Sequence, residues 1–233
     1  MGCDIHCGIE AKQKDGSWKF LSPTTTEDGV FGLDWKQAPY DSRNYELFAF
    51  LADVRQEYDE EDHPLIEPIC PPKGVPDDAS EVWKQIVKQW GADGHSHTHF
   101  TLMELLEAPW AQMCTDKFVV DAVNYNRWKK FGTPKPQSYC GSVGGKDIVV
   151  HDSDQSAEWV GIQNALDDDL RSGMRWEQVS VKYNSSYVRS QSHTPVYQIA
   201  GEFWSNTIPQ MLAAAKVNNV EWEDIRLVMF FDN

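Results

Sequence analysis

The sequence predicts an α+β fold: one mixed or antiparallel sheet holding both terminal strands, packed with several amphipathic helices. Three observations lead there. Residues 3–10 and 225–231 both read as strands, at opposite ends of the chain. The helical stretches between them do not alternate with strands in a regular βαβ beat. With 41% hydrophobic and 12% aromatic residues, the chain has the apolar mass for a buried core, which excludes wholesale disorder. Neither an internal repeat nor a linker interrupts the 233 residues, so a single domain over 1–233 is expected.

The first strand shows clean alternation. Cys3, Ile5, Cys7 and Ile9 take one face; Asp4, His6, Gly8 and Glu10 take the other. Lys14-Asp15-Gly16-Ser17 is a turn signal, and Trp18-Lys19-Phe20-Leu21 returns as its hairpin partner. Residues 22–41 have the character of a loop. A helix starts near Asp41 or Ser42, with Leu47, Phe50, Leu51 and Val54 as one apolar stripe. Residues 57–80 are acidic and proline-rich with Lys73 as their one Lys or Arg, which predicts a solvated, mobile loop.

Ser80 caps the next helix, whose apolar face is Trp83, Ile86, Val87 and Trp90. Thr101-Leu102-Met103-Glu104 is a capping box, so His95 to His99 form the extended lead-in to a further helix. Residues 118–128 carry a weaker helical pattern. Gly, Pro and Ser dominate 132–146, which predicts a lid-like loop. Ile148-Val149-Val150 is a short strand, and Trp159, Ile162, Leu166 and Leu170 mark a helix. Val179, Val181 and Tyr183 alternate as in a strand. From Val196 to Ala215 the apolar residues keep helical phase, with a kink expected at Pro209. Ile225 to Phe231 closes as an apolar strand. If it neighbours the first strand, Asp4, His6 and Asp232 share a rim.

Charge narrows the function classes. The net charge is −15, so a long nucleic acid backbone is not an expected partner, while a small anionic ligand in a local pocket is allowed. No apolar run reaches the ~18 residues of a membrane helix. The five Cys, odd in number and without a Cys-x-x-Cys pair, predict reduced thiols in a cytoplasmic setting. Met1-Gly2-Cys3-Asp4-Ile5-His6 lacks the basic and apolar regions of a signal peptide, and His at position 6 breaks a myristoylation motif.

Three constellations carry potential chemistry. Alternate residues of an extended segment point the same way, so His95, His97 and His99 converge on one point, where neutral imidazoles suit a divalent metal. The bland alternative is a polar loop of satisfied histidines. Asp4 and His6, two apart on one strand face, make a metal-ligand or acid–base pair; otherwise they are a solvent-facing strand edge. Arg43 at a helix start opposes the macrodipole, and such an arginine grips phosphate or a carboxylate, unless it is only solvated. Gly141 to Asp147 fails the P-loop pattern, because three residues rather than four separate Gly141 from Gly145 and Asp147 stands where Ser or Thr is needed. No Gly-x-Ser-x-Gly elbow is present.

The opening Met1-Gly2-Cys3-Asp4-Ile5-His6, the block from Arg43 to Arg55, His95-Ser96-His97 leading into Thr101 to Leu105, and the terminal Phe231-Asp232-Asn233 together resemble uncharacterised proteins of bacteriophages and prophages. The resemblance runs end to end in scattered blocks. It implies action in the cytoplasm of an infected cell and transfers no activity. It adds weight to the polar motif positions.

The expectation is a metal-assisted hydrolase of a small, nucleotide-like phosphoester. Asp4, His6, His95, His97 and Asp232 are the expected ligands of a divalent ion (Zn, Mn or Mg), and Arg43, Tyr45 and Ser96 the substrate contacts. His97, with His95 and Asp4, is the expected catalytic group. The alternatives are a protein that sequesters a nucleotide signal or a host protein without chemistry, and a purely structural metal.

Overall fold

The computed structural model describes residues 2–27, 30–59, 61–132 and 147–232. Along the chain run β1 (Asp4–Lys12), β2 (Trp18–Phe20), β3 (Thr24–Glu27), β4 (Val30–Leu33), α1 (Tyr45–Ala52), α2 (Glu81–Trp90), β5 (His95–Thr101) and α3 (Leu102–Glu107). There follow β6 (Met113–Asp121), α4 (Ala122–Phe131), β7 (Val149–His151), α5 (Ala157–Arg171), α6 (Trp176–Tyr183) and β8 (Ser186–Pro195). The chain ends with α7 (Val196–Ile199), α8 (Ile208–Asn218) and β9 (Ile225–Asp232). The class is α+β, as expected. Two compact units are present: residues 2–114 with 194–232, and residues 115–193. No helix among the described residues is long and apolar enough to cross a membrane.

The first unit is built on a four-stranded sheet in the order β2-β1-β9-β5. The two terminal strands are its centre, antiparallel, with Asp4 opposite Asp232 and His6 opposite Phe230. Because side chains alternate, the register sorts the sheet into two faces. Ile5, Cys7, Ile9, Leu227, Met229 and Phe231 enter the main core with α1, α3 and α8. Val228 and Phe230 enter a second, smaller core with Trp83 and Ile86 of α2 and Leu33 of β4. On this second face a side chain at Gly8 would run into the Phe20 ring, so glycine there lets that ring of the neighbouring strand lie against β1.

The second face also buries a charge pair. Arg226 Nε donates to Glu10 Oε2 at 2.8 Å, and its Nη1 donates to Asp78 Oδ1 at 2.7 Å. Ser80 N donates to the other Glu10 oxygen, so Glu10, wholly buried, ties the N-terminus of α2 to the sheet. Removing one partner of such a buried pair costs about 3–5 kcal/mol, because the other charge is left uncompensated.

Several local expectations are corrected. Residues 22–41 are not a plain loop: β3 and β4 form a hairpin in register Thr24 to Leu33, favoured by β-branched threonines. The first helix begins at Tyr45, because Asn44 rather than Asp41 or Ser42 accepts a hydrogen bond from Leu47 N as the cap. Its residues Leu47 to Ala52 are all buried, so it is a core helix rather than a one-stripe surface helix. The acidic segment 57–80 has no helix or strand among its described residues. It is nonetheless pinned, by Ile69 N to Phe50 O at 2.8 Å and Gly74 N to His97 O at 2.7 Å. The apolar phase from Val196 to Ala215 is broken at Gly201, whose φ is +49°; beyond it a π-helical stretch at Phe203–Thr207 runs straight into α8, so the irregularity expected at Pro209 falls in the turn just before it.

In the second unit the sheet order is β6-β8-β7, with β7 and β8 parallel. Its core gathers Phe118, Val120, Val123, Trp159, Leu166, Val179 and Val188. Residues 118–128 divide into the end of β6 and the start of α4, with Asp121 capping. The segment around Val179 is helix α6, not a strand: Val179 and Tyr183 are four apart and buried, while Val181 is 71% exposed. Strand β8, rich in Ser, Thr, Gln and His, was not anticipated. Residues 133–146, where the lid was expected, lie outside the described residues.

Candidate functional site

The candidate site is assembled at the end of the first unit's sheet where β1 starts and β9 stops. Pairing of these strands sets Asp4 against Asp232, and Asp4 N donates to Asp232 Oδ1 at 3.1 Å. The second Asp232 oxygen lies 3.1 Å from His6 Nε2. His6 is 4% exposed and is held by three rings: Phe230 stacked at 4.7 Å, Trp90 at 4.3 Å and Trp35 edge-on at 4.4 Å. Neither His6 ring nitrogen makes a hydrogen bond of good geometry. Burial pushes the His6 pKa down, against the opposing pull of Asp232 and then Asp4, so the ring is held toward its neutral form.

Arg43 and Tyr45 gather around the same strand start. Arg43 Nε and Nη2 grip the two Asp4 oxygens at 2.8 and 2.7 Å, a fork-to-fork pair at an exposed position. The Arg43 guanidinium lies directly over Gly2, where any Cβ would clash with it. Tyr45 Oη accepts a hydrogen bond from Cys3 N at 3.2 Å. The thiols of Cys3, Cys7 and Cys70 are unbridged. Burial raises all three above the ordinary thiol range, Cys7 to about 12, so they are inert side chains of the core and its margin.

The histidine-rich strand departs from the expected arrangement. Strict alternation would point His95, His97 and His99 one way. Instead a bulge intervenes between His95 and Thr98, with Ser96 in the left-handed region at φ +49°. His95 therefore pairs with Phe231, whose side chain enters the main core, whereas His99 pairs with Val228 on the second face. The His97 ring lies 5.4 Å from Phe230, beside the residue that stacks on His6; the His95 ring lies 6.4 Å from Phe231. Ser96 Oγ is 3.0 Å from His95 Nδ1, so it serves that histidine. The Nε2 atoms of His95 and His97 are buried without a partner. Burial, then His95, lowers the His97 pKa; burial also lowers that of His99, whose Nδ1 meets Gly74 O at 3.4 Å.

Asp4, His6, Arg43, Tyr45 and Asp232 are thus brought together directly, and His97 joins them through Phe230. His95 is turned toward the other face. The unpaired imidazole nitrogens are the right kind of donor for a divalent ion. Among the described residues, however, no three His, Cys, Asp or Glu come close enough together to surround one ion. Asp4 is also engaged by Arg43. The donors fit a metal in kind, but they are not gathered as a shell.

Sequence reasoning missed the aromatic box around His6. Trp90 was placed on the apolar stripe of α2, and Phe230 falls on the His6 face by simple alternation from Asp232; together they carried the signal. Trp35 had none, because the hairpin that presents it read as loop. Comparison with known protein families, with curated proteins and with solved structures finds no match.

Proposed function

We propose that the first unit binds a small, nucleotide-like phosphoester at the Asp4–His6–Asp232 rim and hydrolyses it. The observation that carries this reading is the buried His6 ring beside Asp232, with the His97 ring against the same Phe230 and its Nε2 buried without a partner. Unpaired buried polar groups are costly, and a catalytic role or a bound ion is among the reasons they are retained. Asp232 beside His6 forms an acid–base pair: the carboxylate orients the ring, and the neutral ring takes a proton from water or returns one to the leaving oxygen. Arg43, with its Nη1 turned from Asp4, offers positive charge to a phosphate.

His6, His97 and Asp232 are donors of the kind a divalent ion (Zn, Mn or Mg) takes, but among the described residues they are not gathered around one point, so no step is assigned to a metal. On the resemblance to bacteriophage proteins, we place the reaction in the cytoplasm of an infected cell, acting on host nucleotide signals. A second reading, binding without turnover, is favoured by the Asp4–Arg43 pairing, which occupies both groups with each other.

The test is a phosphoester panel on wild type and His97→Ala, with Zn, Mn or Mg added after chelation, and with melting curves beside it. Loss of turnover by about 100-fold or more in a variant whose metal-free melting temperature is little changed is the expected result. Ligand binding that weakens with no turnover in either protein selects the second reading. Unchanged turnover and binding in the folded variant removes His97 from the site.

A further inference from the structure

A hollow of about 340 Å³ opens on the second face of the first unit. That volume falls within the ~300–1,000 Å³ of small-molecule sites. It is lined by Trp35, Trp90, Phe31 and Leu33 and by the polar Asp93, Gln89 and Thr25. Trp35 and Trp90 are the two rings that also clasp His6, at 4.4 and 4.3 Å, so the hollow and the His6–Asp232 pair share walls. The two indoles stand nearly perpendicular, centroids 6.2 Å apart and planes at 86°. One can lie flat against a planar guest while the other meets its edge. Trp35 is 39% exposed, so part of its ring is open to a guest.

We infer that this hollow seats the base of a nucleotide, and that Asp93 selects a base presenting adjacent N–H donors, the edge that guanine carries. Tryptophan faces stack any base, so stacking alone does not discriminate. A carboxylate does: ionised, it only accepts, and its two oxygens match two parallel N–H groups. Guanine offers that pair, N1–H with the exocyclic amino group. Adenine and uracil each offer one donor there, beside an acceptor that the carboxylate repels. The inference names the substrate class of the site proposed above and rests on that reading for the chemistry, but not for the binding.

The experiment is titration of the whole chain with guanosine, adenosine and uridine, read by quenching of tryptophan fluorescence and by calorimetry, with inorganic phosphate as a separate arm. Guanosine should bind saturably and at least about tenfold more tightly than adenosine or uridine. Trp35→Ala, which removes one of the two indoles lining the hollow, should weaken binding of all three nucleosides at least about tenfold. Asp93→Asn, at an exposed position, should bring guanosine down to the level of adenosine. No nucleoside binding by the folded wild type overturns the inference. So does guanosine binding that neither variant alters, and so does equal affinity for the three nucleosides. If Trp35→Ala does not fold, Asp93→Asn still decides. Hydrolysis of phosphoesters without nucleoside binding sinks this inference alone. Guanosine binding that the two variants weaken, with no turnover of any phosphoester, sinks the hydrolase reading alone.

Discussion

His6 shows how a single side chain couples the site to the stability of the fold. The ring is enclosed by Phe230, Trp90 and Trp35, and burial holds its pKa below the ordinary histidine value of ~6.5. The sign follows from proton counting. Above that value both folded and unfolded chains carry a neutral ring, and the folded state loses nothing. As pH falls below it, the unfolded chain takes up its proton first, so stability drops progressively until the folded ring also protonates. His97 and His99, lowered for the same reason, add to the slope. The melting temperature should therefore fall between pH 7 and pH 5, and His6→Gln should flatten part of that fall. A melting temperature constant over this window, or a slope unchanged in His6→Gln, would show that the ring is not held neutral by its aromatic box. The same measurement bears on the proposed chemistry, since a neutral imidazole is the form that accepts a proton or binds a metal.

At the scale of elements, the β5 bulge decides which histidines can act together. Ser96 sits at φ +49°, a conformation that costs a non-glycine residue about 1–2 kcal/mol. Ser96→Gly should stabilise the protein by up to about 1 kcal/mol, and Ser96→Val should destabilise it by about 1–2 kcal/mol, both by denaturant titration. A valine variant as stable as wild type would mean the strand runs without the bulge and that His95 and His97 share a face after all. The bulge also marks where legibility in the sequence stops. Strands β1 and β9, the Ser80 and Thr101 caps and the face holding Asp4 and His6 were readable, because alternation and capping are local patterns. The bulge was not, because the His-Ser-His-Thr-His run alternates perfectly and only pairing with β9 shifts it. Helix α6 was misread because Val179, Val181 and Tyr183 satisfy a period of two as well as a period near four, and burial alone separates them. Strand β8 escaped because half-exposed strands with polar residues carry little hydrophobic signal. The site was legible as a cluster of residue types. Its aromatic walls and the Arg43–Asp4 pairing come from long-range contacts that no local pattern encodes.

At the scale of the molecule, the two units differ in what they bury and in what they hold. The main core and the second-face core are made of residues from 2–114 and 194–232, whereas the remaining core draws only on residues 118–188. Every candidate site residue, from Asp4 and Arg43 to His97 and Asp232, belongs to the first unit. The second unit has its own polar ties, such as Asp154 accepting from Tyr125 Oη at 3.0 Å and Ser190 Oγ at 2.8 Å. It enters at Thr115 and leaves at His193, and these side chains meet at 3.0 Å. Closely spaced ends are what an inserted unit needs if its removal is to leave the host chain unstrained. Replacing residues 115–193 by a short Gly/Ser linker should therefore leave a first unit that melts cooperatively, because both of its cores and its central β1–β9 pairing remain whole. Loop-closure entropy falls only slowly with shortening, so the linker itself adds little cost. The shortened chain should keep the metal and ligand binding proposed for the His6–Asp232 rim, measured by the same titrations as for the full chain. A product lacking a cooperative transition would show that the first unit depends on the second for stability. A folded product that has lost binding would overturn the assignment of the site to the first unit alone.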